Sequence, residues 1–68
     1  MRMKPEELVF KIEQWDQAGN HLESVLARAS NQLIARGAFQ VAAQLYPRSV
    51  ITLRQGARVI ETTERAAR

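Results

Sequence analysis

His21, Asp16 and the serines Ser24, Ser30 and Ser49 are the residues of this 68-residue chain whose types suit nucleophilic or histidine-based acid–base chemistry. A working constellation needs a base within hydrogen-bond reach of the proton it removes, and usually a third group to orient it. In the alternating register expected around them, Ser24 and His21 project to opposite faces, which argues against a serine–histidine pair. His21 and Trp15 come out as cross-strand neighbours, an arrangement that packs aromatic surface rather than building a site. Glu13 and Glu23 fall opposite one another, the disposition of an acid/base pair. On an open sheet face, however, both are hydrated and Lys11 stands nearby. Glycines occur singly at 19, 37 and 56, so no phosphate-cradling glycine loop is present. With no cysteine, a structural zinc site would rest on His21 and carboxylates alone. The expectation is a chain that is not an enzyme and carries no cofactor and no metal.

Arginine is the other chemistry-bearing type. Arg48, Arg54 and Arg58 lie on and beside "ITLRQGARVIE", Ile51 to Glu61, with Thr52 among them and Tyr46 just upstream. A two-stranded ribbon can enter a groove, and arginines neutralise phosphates, so these three residues are the expected anion or nucleic-acid contacts. The bland alternative is that hairpin tips and edge strands carry charge to prevent edge pairing. No RNA-recognition signature and no alternating base-stacking aromatics accompany them. The net charge is +3, and residues 31–68 hold six arginines against two glutamates. Yet eight arginines, two lysines and ten alanines are also what high-GC coding produces without any binding role.

These side chains must be positioned by short elements. In "ITLRQGARVIE" two runs rich in β-branched residues flank Gln55 and Gly56, and the expected turn is a three-residue loop, Arg54-Gln55-Gly56, closed by a left-handed glycine as a G1 bulge. That register puts Leu53 with Ala57 and Ile51 with Val59 on one face, and Thr52 with Arg58 and Val50 with Ile60 on the other. "VFKIEQWDQAGNHLESVL" repeats the design, with a loop around Gln17-Ala18-Gly19. Phe10, Ile12, Leu22 and Leu26 share one face with Gln14 and Ser24; Lys11, Glu13, Trp15, His21, Glu23 and Val25 take the other. Between the hairpins, "SNQLIARGAFQVAAQLYP" has helical spacing, with Ile34, Ala38, Val41, Ala42 and Leu45 as its apolar side and Phe39 and Tyr46 at the margin. Ser30 or Asn31 can cap its start and Pro47 stops it. The rival reading makes residues 6–17 and 21–46 two helices before the C-terminal hairpin, on the strength of Pro5-Glu6-Glu7 and of Asn20 with Glu23. Against it, Phe10 falls off the stripe of Leu8, Ile12 and Trp15, and Gly37 inside one long helix costs about 1 kcal/mol.

The fold expected is therefore α+β, ββαββ: two β-hairpins joined by one amphipathic helix on one face of a four-stranded sheet, in a single domain spanning 1–68, ordered over about 8–62 with a mobile tail at 63–68. The segments "EQWDQAGNHLE", "ARASN", "AAQLYP" and "ITLRQGARVI" resemble a set of short uncharacterised bacterial proteins. That resemblance implies a ββαββ domain and no known activity. So short a chain buries only about 60% of its unfolded surface, which favours a partner. The start "MRMKPEELVF" lacks the apolar core of a signal peptide, and no run is long enough for a membrane span, so a cytoplasmic chain with no membrane partner is expected. One helix covers one face of a sheet. The other would show Val9, Trp15, Val25, Val50 and Ile60, too apolar for bare solvent unless the tail "ETTERAAR" folds over it. Trp15, Val25, Val50 and Ile60 are accordingly the expected interface of a non-catalytic protein-interaction module, self-associating as a homodimer or binding an unknown protein. Nucleic-acid binding through Arg48, Arg54 and Arg58 is the alternative.

Overall fold

The computed structural model describes residues 9–64. Their elements run β1 (Phe10–Trp15), β2 (Leu22–Ala29), α1 (Gln32–Leu45), β3 (Val50–Gln55) and β4 (Arg58–Thr62). The strands form one sheet in the order β2-β1-β3-β4, each antiparallel to its neighbours. This is the ββαββ arrangement. The two-helix alternative is overturned, since residues 10–15 and 22–29 are strands; its first turn, residues 6–8, lies outside the described residues. Because β1 is antiparallel to both β2 and β3, those two run parallel, and α1 is the crossover that carries the chain over β1 between them.

Helix α1 starts and stops where its sequence dictates. The Asn31 side-chain oxygen accepts from the backbone N–H groups of Leu33 at 2.7 Å and Ile34 at 3.1 Å. Those bonds satisfy donors that the first turn leaves free. At the other end Tyr46, the residue before Pro47, leaves the helical region while its N–H still reaches the Ala42 carbonyl. The buried side of α1 is Ala35, Phe39 and Ala42, packed against Phe10, Ile12, Ile51 and Leu53. The expected apolar side is thus rotated by one residue. Phe39, expected at the margin, is the centrepiece, and Ile34, Val41 and Leu45 are exposed. Two alanines flanking Phe39 let the helix approach the sheet closely, which the bulkier stripe does not allow.

Two shifts of register in β2, between the positions facing Ile12/Glu13 and Gln14/Trp15, change which side chains share a face. Leu26 and Ala27 both reach the core side. Leu22 pairs with Trp15 on the outer face instead of joining Phe10 and Ile12, and His21 falls in the loop rather than beside Trp15. The second hairpin also differs from expectation. Gln55 pairs with Arg58, so the turn is the two-residue Gly56-Ala57 and not Arg54-Gln55-Gly56. Gly56 has φ of +59° and no other residue near the tip is positive. That is the sign pattern of a type II′ turn. A register shift follows between Leu53 and Arg54. The two-residue turn itself places Val59 opposite Arg54 on the outer face and turns Ile60 against the core, and the shift beyond it sets Glu61 opposite Leu53. Thr63, assigned to a mobile tail, is fastened to β3: its N–H donates to the Ile51 carbonyl and its hydroxyl oxygen accepts from the Ile51 N–H, both at 2.9 Å. Residues 65–68 of that tail lie outside the described residues.

Candidate functional site

The outer sheet face is built by alternate residues of β1 and β3. Glu13 sits opposite Thr52 and Trp15 opposite Val50, with Arg54 one position along. A chain of hydrogen bonds links them. The Trp15 indole N–H donates to the Thr52 hydroxyl at 3.0 Å, that hydroxyl donates to one Glu13 oxygen at 3.2 Å, and Arg54 Nη2 donates to the other at 2.8 Å. The Arg54 guanidinium carbon lies 6.0 Å from the Trp15 ring centroid. Glu13 is 2% exposed, whereas the Arg54 side chain keeps 31% of its surface. Glu13, expected to be a hydrated partner of Glu23, is instead a buried anion held by a cation from the far end of the chain, and its direct neighbour on β2 is Val25. Glu13, Thr52, Trp15 and Arg54 each donate to or accept from another of the four, and the one buried side-chain polar atom left without a partner among the described residues is Arg54 Nε.

Of the four expected interface residues, the structure brings three together. Trp15 and Val50 are paired neighbours, Val25 lies across β1 beside Glu13, and Ile60 is on the opposite side of the sheet against α1. Val50 is buried and Trp15 and Val25 are half-buried, so this face is less bare than alternation alone implies.

The three arginines do not form one patch. Arg54 is engaged by Glu13 on the outer face. Arg58 pairs with Gln55, itself opposite Phe10, and so belongs to the helix side. Arg48 precedes β3 and so lies at the end of that strand away from the turn. A different basic alignment was hidden from the sequence: Arg28, Lys11 and Arg54 are successive cross-strand partners over β2, β1 and β3. Only this pairing pattern could have revealed it.

Asp16 and His21 close the first hairpin. Asp16 accepts the Asn20 N–H at 2.7 Å through Oδ1, and His21 Nδ1, when protonated, donates to Oδ2 at 3.1 Å. The Asn20 N–H first, then the His21 side chain, hold the Asp16 carboxyl below the usual aspartate range. The His21 side chain is 84% exposed and no serine hydroxyl bonds to it, so the pair serves the turn. Ser49, a nucleophile candidate, accepts from Gln14 Nε2 at 3.0 Å. Among the described residues no group of three or more His, Cys, Asp or Glu side chains is placed to hold a metal, and no helix is long and apolar enough to cross a membrane.

The second surface is apolar. A groove of about 580 Å³ runs between α1 and the edge strand β2, with Leu26, Ala27 and Ile12 as floor and Ile34, Ala38, Val41 and Leu45 as wall. Ile34 is 66% exposed, Val41 55% and Leu45 67%. Ile34, Ala38 and Val41 precede the buried Ala35, Phe39 and Ala42 by one position, so the stripe is turned about 100° from the core and points sideways, over β2. Compared with protein-family models, with curated proteins and with solved structures, the chain finds no match in any of the three.

Proposed function

We propose that this chain is a non-catalytic protein-interaction module that works by self-association, and that it uses the side of α1 above β2 rather than the outer sheet face. The carrying observation is the row Ile34, Val41 and Leu45, three large aliphatic residues more than half exposed on one helix side. Removing such a row from water is worth about 25 cal/mol per Å², and a domain this small has more to gain from it than from its own limited core. The outer face has less to gain. Its Glu13, Thr52, Trp15 and Arg54 groups already pair with one another, and Val50 is buried.

The groove wall holds no ionised group, so two identical copies meet there without repulsion. The one charge within α1, Arg36, is turned to Glu61 of its own chain. A nucleic-acid partner has weaker support, because Arg48, Arg54 and Arg58 are spread over two faces and two ends of the sheet. Equilibrium sedimentation tests the reading. Wild type should approach twice the 7.7 kDa chain mass as concentration rises. Val41→Asp should remain folded by circular dichroism and become monomeric, whereas Leu53→Asp, at a fully buried site, should unfold. A wild type that stays monomeric at millimolar concentration overturns the proposal.

A further inference from the structure

Self-association leaves open how the copies meet, and three separate features of the fold single out one symmetry axis. The helix stripe points sideways over β2, and β2 is an edge of the sheet. An isologous dimer built there brings the two helices side by side on the same face of two adjoining sheets, with the β2 edges facing each other. The stripe is symmetric about a point between Phe39 and Gln40. Antiparallel helices centred on that point set Ile34 of one copy against Leu45 of the other, and Ala38 against Val41. Gly37 has open space where a Cβ would stand. With Ala38 it gives the small centre that lets helix axes come close together.

Charge on β2 points to the same axis independently. Glu23 is the second residue of the strand and Arg28 the second from its end, so they are equidistant from the midpoint between Val25 and Leu26. Leu26 and Ala27, at and beside that midpoint, also floor the groove beneath the stripe. A two-fold axis there carries Glu23 of each copy toward Arg28 of the other. Arg28 has use for an anion: it faces Lys11 across the strand pair, an unfavourable like-charge neighbour, and among the described residues it has no ion-pair partner. The register shifts in β2 bend this edge, so the helix contact rather than a continuous backbone ladder supplies most of the interface.

Resting on the self-association reading, we infer that the occupant of the groove is helix α1 of a second copy, related by a two-fold axis beside β2, with Glu23 and Arg28 paired reciprocally between copies. The absence of cysteine makes the test direct. A mixture of Ala38→Cys and Val41→Cys chains, mildly oxidised, should form disulfide-linked heterodimers at least about tenfold faster than chains carrying Leu33→Cys, whose side chain is 80% exposed away from the groove. In cysteine-free chains, Glu23→Arg or Arg28→Glu alone should raise the dimer dissociation constant about three- to tenfold, and the double swap should return it to within about twofold of wild type. A dimer that sediments normally but shows no preferential 38–41 cross-link, or whose charge swaps are merely additive, overturns this geometry and leaves self-association standing. A monomeric wild type overturns both.

Discussion

The Glu13–Arg54 pair offers the sharpest test of how the outer face is held. Glu13→Gln keeps the shape of the side chain and removes its charge. Glu13 is almost fully buried and bonded to both Thr52 and Arg54. A hydrogen bond to a charged partner is worth about 1.5–3 kcal/mol. Breaking a fully buried pair runs to about 3–5 kcal/mol, but Arg54 keeps about a third of its surface in water, which screens part of the effect. The expected loss is therefore about 1.5–3 kcal/mol, and for a domain of this size it should lower Tm by at least about 6 °C. Arg54→Met, which keeps an apolar stem near Trp15, should cost about 2–4 kcal/mol, because it leaves the Glu13 carboxylate with the Thr52 hydroxyl alone. The double variant no longer has an orphaned charge, so a cycle measured by urea denaturation should show a coupling of about 1–2 kcal/mol. Additivity within about 0.5 kcal/mol would refute the argument and mean that solvent, not Arg54, satisfies Glu13.

Two further outcomes follow from the turns. Gly56→Ala should destabilise the chain by about 1 kcal/mol, because the glycine's positive φ strains any residue with a Cβ. The space around it is open, so strain and not a clash carries the effect, and an unchanged urea midpoint would reject the turn described. The lowered Asp16 carboxyl contributes stability that is complete above the unfolded aspartate value of about 3.9 and is lost as pH falls through its lower folded value. The Tm difference between wild type and Asp16→Asn should then be present at about pH 5 and close in stronger acid, and a gap that persists to the lowest pH tested would contradict the role given to Asn20 and His21.

Element identity was legible in the sequence because period-two runs such as Phe10–Trp15 and the capped, proline-stopped segment from Asn31 to Pro47 are local signals. Face assignment was not. One extra residue in a strand reverses everything beyond it: a register shift of that kind moved Leu22 outward, and a turn one residue shorter than expected moved Ile60 inward. In α1 the stripe Ile34/Val41/Leu45 is the more apolar, yet the sheet accepts Ala35/Phe39/Ala42, because close approach is decided by side-chain size at the contact and not by hydropathy. Glu13 read as solvated since its partner is 41 positions away. The apolar groove could be found only once α1 had been set on β1 and β3 with its larger aliphatic side turned away from them.

The polar side-chain bonds from β1 to β3 and to the residue just before it all join positions far apart in sequence: Gln14 with Ser49, Trp15 with Thr52, Glu13 with Thr52 and with Arg54, at separations of 35 to 41. Each hairpin, by contrast, closes through a short loop and forms within microseconds. Loop-closure entropy therefore predicts that docking of the two hairpins is the slow folding event, since the central β1–β3 pairing must first close the whole β2–α1 excursion. The buried Glu13 carboxylate then acts as a gatekeeper of register: a docking of β1 and β3 one residue out of step would turn it away from Thr52 and toward the apolar core. Stability and correct docking are thereby tied to the same carboxylate, which sits on the one seam that local sequence signals leave unspecified.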